Sequence, residues 1–144
     1  MIKGDSAKAI AKYAWKKQPI KQLVKSNPTQ NIWYAVLSAT NDVMILAVSI
    51  KQVNDEAAAK TLGIRVIIDG ITLSASGSLA NNQWNYVYLD FRSDTIAWST
   101  SLLNFGMYSA VCGQNVAIDL RIESAPGTNQ LLYGNAQIET LEET

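Results

Sequence analysis

Histidine is absent from the 144 residues of this chain, and cysteine occurs once, at Cys112. Without an imidazole there is no Ser-His-Asp or Cys-His nucleophile system and no histidine metal site. One cysteine allows neither an intrachain disulfide nor, without histidine, a structural zinc. Cys112 lies in Ser109-Ala110-Val111-Cys112-Gly113, a small and apolar context that predicts a buried, inert thiol. The spacings of the P-loop, the dinucleotide Gly-x-Gly-x-x-Gly and the EF-hand are absent. Paired carboxylates could run a glycosidase, but the acids are scattered along the chain and read as solvent-facing charges. Asn54-Asp55-Glu56 and Asn81-Asn82 offer oxygens without the ordered loop that calcium needs, so they read as turns and caps. The expectation is a non-enzymatic protein with no catalytic residue, metal or cofactor.

What remains is binding chemistry. Lys8, Lys12 and Lys16 recur every four residues. On a helix they form one stripe, with Trp15 and other apolar groups lying largely away from it. Ile20 and Leu23 continue the apolar side, and with Trp15 they are the expected docking face. Such a stripe could meet phosphates without sequence preference. The apolar side is more than an electrostatic arm needs, so a protein partner is expected and nucleic acid is not. A membrane-surface helix is weakened by Pro19 and the small alanines. Trp84, Tyr86 and Tyr88 alternate against Val87, Leu89 and Phe91. That aromatic stripe suits core packing, a subunit interface, or stacking on sugar rings. The acidic end, Glu139, Glu142 and Glu143, is a counterpart for the basic arm or a solvated tail.

Charge divides the elements that carry these residues. Met1 to Asn27 holds seven lysines and one aspartate, a charge of +6, and the remainder holds five basic and eleven acidic groups, a charge of −6. Residues 1–27 are expected to be a basic helical arm and residues 28–144 a β-domain with a short acidic tail. Ser6 can cap a helix running to Lys17, and the alanines favour it. Pro19 should end or kink it, and Ile20 to Lys25 reads as a second helical piece.

The body alternates strand patterns with turn chemistry. Strands are expected over Asn31–Leu37, Val43–Val53, Gly63–Asp69, Ile71–Ser74, Trp84–Phe91, Val116–Glu123 and Leu131–Leu141. Ser38 to Asp42 reads as a turn, Ala75 to Asn82 as a loop, and Asp69-Gly70 as a tight hairpin. One or two short strands are expected around Ile96–Leu103 and Tyr108–Cys112. About eight strands without interleaved helices predict an antiparallel β-sandwich or jelly roll. No apolar run is long enough for a membrane span, and the start lacks a secretory signal, so a cytosolic origin is expected.

The succession of Pro28 to Leu37, an apolar strand, Gly63 to Gly70, Trp84 to Leu89 and Asp119 to Ser124 resembles small β-sandwich virion proteins of tailed bacteriophages. These are capsid decoration (cement), head-fibre or tail components. The resemblance spans roughly residues 28 to 141 and rests on pattern, without a diagnostic motif. It implies a structural role in a virion made in the host cytoplasm, self-association (often as a trimer) and contact with a major capsid or other virion protein. It assigns no functional residue. The alternative is a carbohydrate- or receptor-binding module that uses Trp84, Tyr86 and Tyr88 as its platform.

Overall fold

A computed structural model describes residues 13–90, 95–100 and 111–143 of the chain. All nine described elements are strands: β1 (Tyr13–Lys17), β2 (Lys21–Ser26), β3 (Tyr34–Val53), β4 (Lys60–Ile68), β5 (Ile71–Leu79), β6 (Asn85–Asp90), β7 (Thr95–Ser99), β8 (Val111–Ile122) and β9 (Leu131–Glu143). Every pairing among them is antiparallel.

The twenty-residue strand β3 belongs to both halves of the sheet. Its first part pairs with β8, which continues through β4 to β5. Its second part pairs with β9 on one edge and β6 on the other. β9 carries β1 and β2 on its far edge, and β6 carries β7. The apolar faces of the two halves meet in one core, in which Val36, Ile64, Val66 and Ile118 join Val48, Ile50, Val87 and Ile138. Gly134 on β9 lies under Val36, and Gly77 on β5 lies under Trp98 on β7, so bare backbone lets the halves approach closely.

Register breaks explain how β3 serves both halves. One extra residue enters between Ala35 and Leu37, another between Thr40 and Val43, and a third between Ile45 and Ala47. Each bulge moves the following side chains to the other face. Hence Val36 and Leu37 are both buried, and the inward set changes from Val43 and Ile45 to Val48 and Ile50. Asn41 and Asp42 have φ of 71° and 60°. Their short polar side chains tolerate that left-handed backbone. The turn expected at Ser38–Asp42 is therefore a bulge inside a continuous strand.

The Asp69-Gly70 hairpin has φ of 49° and 83°, with Ile68 opposite Ile71 across a two-residue loop. The Asp69 carboxylate also accepts the backbone N–H of Asn115 at 2.8 Å, joining the hairpin to β8. β5 runs to Leu79 where a loop was expected beyond Ser74. Its small side chains suit a strand at the end of the described strand order.

The helical arm is corrected over residues 13–26. Tyr13–Lys17 and Lys21–Ser26 are strands on β9, with Trp15 opposite Leu141 and Leu23 opposite Gly134. The thirteen residues of β9 would otherwise present a bare edge of N–H and C=O groups. Satisfying that edge outweighs the modest helix preference of alanine and lysine. Pro19 sits in the break between the two strands, where Gln18 N–H still donates to Ile138 O at 3.1 Å. The expected helix start at Ser6, with Lys8 and Lys12, lies outside the described residues.

Candidate functional site

Side chains alternate on strands, so the outer surface of the half containing β9 can be read from its registers. The first feature there is an apolar strip along β1 and β2. Tyr13 is 60% exposed, Trp15 37%, Ile20 60% and Val24 53%. Among the described residues these are four of six exposed large hydrophobic side chains, the others being Ile32 and Ile71. The four fall within Tyr13–Val24, a concentrated rather than a scattered exposure. Leu23 points the other way and packs against the core. Val24 therefore takes the outward role that the helical reading gave to Leu23.

Lysines border this strip. Lys16 Nζ lies 4.0 Å from Glu142 Oε2, and Lys17 stands opposite Glu139. Gln18 Nε2 donates to Thr140 Oγ1 at 2.8 Å and to Glu142 Oε1 at 3.1 Å. In this structure the acidic end thus meets the basic segment of its own chain. The exposed ion pair adds little stability. Lys17 and Lys21 do more by keeping the edge strands from indiscriminate pairing.

The second feature is a groove beside the strip, with a volume of about 290 Å³, lined by Ile20, Ala47, Val48, Ser49, Tyr86, Asn135 and Gln137. Ser49 stands opposite Tyr86 on one side and Asn135 on the other. Small side chains on the middle strand, Ala47 and Ser49, make the floor. One row along, Lys51 stands opposite Tyr133, and its Nζ lies 4.8 Å from the Trp84 ring centroid and 4.9 Å from that of Tyr133. The two rings are 6.2 Å apart at 60°. Of the expected aromatic stripe, Trp84 and Tyr86 are half-buried on this outer surface. Tyr88 is only 7% exposed and stands outside the core cluster that takes Val87 and Leu89. The stripe therefore presents two rings, with Tyr133 from β9 in place of Tyr88.

The opposite half carries a charged cluster. Trp33 has the Arg65 guanidinium 4.6 Å and the Arg121 guanidinium 4.3 Å from its ring centroid. Arg65 Nε donates to Asp119 at 2.7 Å, and Arg121 Nε donates to Glu123 at 2.8 Å. Burial raises the Glu123 carboxyl pKa, but hydrogen bonds from Ser76 and Arg121 and the Arg121 charge together hold it below its ordinary value. Each charge here is paired, so the cluster reads as a solvated face braced by stacking. Thr29 N–H donates to the Tyr34 hydroxyl at 2.9 Å and lowers its pKa, against desolvation.

At the end of the sheet, buried amides tie the loops together. Gln52 Nε2 donates to Ala58 O and Leu79 O, and its Oε1 accepts from Asn54 Nδ2 and Gln130 Nε2. Asn81 Oδ1 accepts Asn54 N–H at 2.8 Å, and Asp55 and Glu56 bind Asn129 and Thr128. The oxygens of Asn54-Asp55-Glu56 are thus engaged in turns and caps. Among the described residues no group of three or more His, Cys, Asp or Glu side chains could hold a metal, and no helix is long and apolar enough to cross a membrane. Cys112 is exposed, beside a shallow pocket with Trp15, Asp42 and Gln114. The buried thiol was the wrong reading, because Cys112 stands opposite Met44, on the face away from the buried Val43 and Ile45.

Trp33, Lys51, Tyr133, Asn135 and Gln137 escaped the sequence reading. Only the alternation of Tyr133, Asn135 and Gln137 on β9 signalled a shared outer face.

No family model matches the sequence. No curated protein matches it either. A solved structure with a similar chain trace is the acidic stable capsid structure of Helicobacter pylori bacteriophage KHP30, with TM-score 0.46, 12% identity, and coverage of 92% of this chain and 98% of that chain. A similarity of that size carries no argument, and the functional reading rests on the surfaces described above.

Proposed function

We propose that this chain is a non-enzymatic β-sandwich structural protein of a virion, a capsid decoration or cement protein that self-associates, as a trimer, and docks on a shell protein through its N-terminal segment. One observation carries the reading: the apolar strip of Tyr13, Trp15, Ile20 and Val24 along β1, β2 and the break between them. Burying such groups against another chain supplies about 25 cal/mol per Å² before ordering costs. The lysines along the same strands favour a partner surface of opposite charge and steer its approach. The bacteriophage resemblance of the sequence points to the same role. Nucleic acid is a poorer match, because the strip is apolar and the acidic end lies beside its lysines, with Lys16 Nζ 4.0 Å from Glu142 and Lys17 opposite Glu139 in the register.

The test is light scattering on the full chain and on a Tyr13→Ser/Trp15→Ser/Val24→Ser variant. Deleting residues 1–27 would also bare the edge of β9, so outward point substitutions are the cleaner perturbation. The expected result is a defined oligomer that the variant converts to monomer with its thermal melt retained. An unchanged mass in the variant, or a monomeric parent at all concentrations, would overturn the self-association reading.

A further inference from the structure

The groove between β9, β3 and β6 combines two kinds of surface. Its walls are apolar and aromatic: Ile20 closes one end and Tyr86 one side, with Trp84 and Tyr133 one row beyond. Its polar side chains are Ser49, Asn135 and Gln137, beside the hydroxyl-bearing Tyr86. Among the described residues none of these three side chains has a hydrogen-bond partner in the protein. The buried amides Gln52, Asn54 and Gln130, by contrast, are each tied into the network at the sheet end. The register places Asn135, Ser49 and Tyr86 in one transverse row, with Gln137 beside Ala47 in the next. Neighbouring strands lie about 4.8 Å apart, so the row spans roughly 10 Å.

We propose that this groove is a saccharide-binding site. A pyranose ring has an apolar C–H face that stacks on an aromatic side chain and a rim of hydroxyls that both donate and accept. Ser49, Asn135 and Gln137 supply a hydroxyl and two amides, groups that likewise donate and accept. Tyr86 supplies the stacking wall, and the small floor residues Ala47 and Ser49 leave room for the ring. A volume of about 290 Å³ suits one or two sugar units, near the lower bound of about 300 Å³ for small-ligand pockets. A purely apolar ligand would leave the three polar side chains desolvated without partners, a cost of about 1–3 kcal/mol for each group. A phosphate would need a cation in the lining, whereas none of the residues lining the groove is charged. The site needs no assembly, and only Ile20 is shared with the apolar strip.

Saturation-transfer NMR on the full-length protein tests the assignment. The probes are glucose, galactose, N-acetylglucosamine, N-acetylneuraminic acid and the β-linked disaccharides of the neutral sugars. The expected result is transfer to the ring C–H protons of at least one probe, lost in Tyr86→Ala and weakened at least tenfold in Asn135→Leu and Gln137→Leu. Tyr13→Ser/Trp15→Ser, which removes much of the apolar strip, should bind as the parent does, so failure of assembly and failure of sugar binding are told apart. Thermal melts confirm that each variant is folded. Absence of transfer for every probe at millimolar concentration overturns the proposal. So does transfer that survives both Tyr86→Ala and Asn135→Leu, or binding seen only for an apolar probe such as indole.

Discussion

Replacing Gln52 and Gln130 by leucine, singly and together, tests how the end of the sheet is held. Both side chains are fully buried. Gln130 Nε2 donates to Gln52 Oε1 at 2.8 Å, to Val53 O at 3.1 Å and to Leu131 O at 3.2 Å, and Gln130 Oε1 accepts Gly127 N–H at 3.0 Å. Leucine has similar bulk, so the change removes hydrogen bonds rather than opening a cavity. Gln130→Leu strips the Gly127 amide of its side-chain acceptor and takes one of two donors from Gln52 Oε1. At about 1 kcal/mol per net bond and about 1–3 kcal/mol for an orphaned group, the loss is about 2–4 kcal/mol. Gln52→Leu takes the side-chain donor from Leu79 O and should cost a similar amount. The bond between the two glutamines is lost in either variant. The double variant should therefore cost about 1 kcal/mol less than the two singles added together. Guanidinium unfolding of the parent, both singles and the double measures the cycle. At this chain length each kcal/mol also lowers Tm by about 2–4 °C. Because every member is a neutral amide, the losses should be equal at pH 5 and pH 8. Singles within about 0.5 kcal/mol of the parent, or strict additivity, would refute the network as a coupled unit.

Three further outcomes follow from particular contacts. A Cβ at Gly134 would lie 2.6 Å from Val36 Cγ2, so Gly134→Ala should destabilise by about 1–3 kcal/mol, and Val36→Ala should recover part of that loss in a chemical-denaturation cycle. The Glu123 carboxyl, with its side chain 16% exposed, has a folded pKa below the ordinary 4.5. Its stabilising contribution is then complete above the unfolded pKa and lost as pH falls through the folded pKa, so Glu123→Gln should flatten the decline of Tm below about pH 5. Asn41 holds φ of 71° in the β3 bulge, and Asn41→Ile should cost about 1–2 kcal/mol by thermal melting, whereas Asn41→Gly should cost less.

The strands that alternate cleanly were legible in the sequence. Val116 to Ile122 and Leu132 to Ile138 bury every second residue, and Asp69-Gly70 forms the turn that its residue types demand. The segment at residues 13–26 was not legible as strand, because its alanines and lysines suit a helix and the decisive force is remote. β9, more than a hundred residues later, offers an edge that those residues cover. The bulges of β3 were hidden for a related reason. Ser38-Ala39-Thr40-Asn41-Asp42 has turn chemistry, and only the pairing with β8 before and after it turns a break into an extra residue. The aromatic stripe was half legible. Alternation separated the two faces without saying which is inward; the structure puts Val87 and Leu89 in the core, and the partners of Trp84 come from Lys51 and Tyr133 on other strands. Such neighbours depend on register, which local pattern does not specify.

Hydrogen–deuterium exchange at rising protein concentration is the most direct test of the central claim that β1 and β2 form the association surface. The account predicts that amides of Tyr13–Ser26 gain protection as the protein associates, while those of the Asp69-Gly70 hairpin do not change. Association that leaves the exchange of Tyr13–Ser26 unaltered, or that protects the hairpin instead, would contradict it.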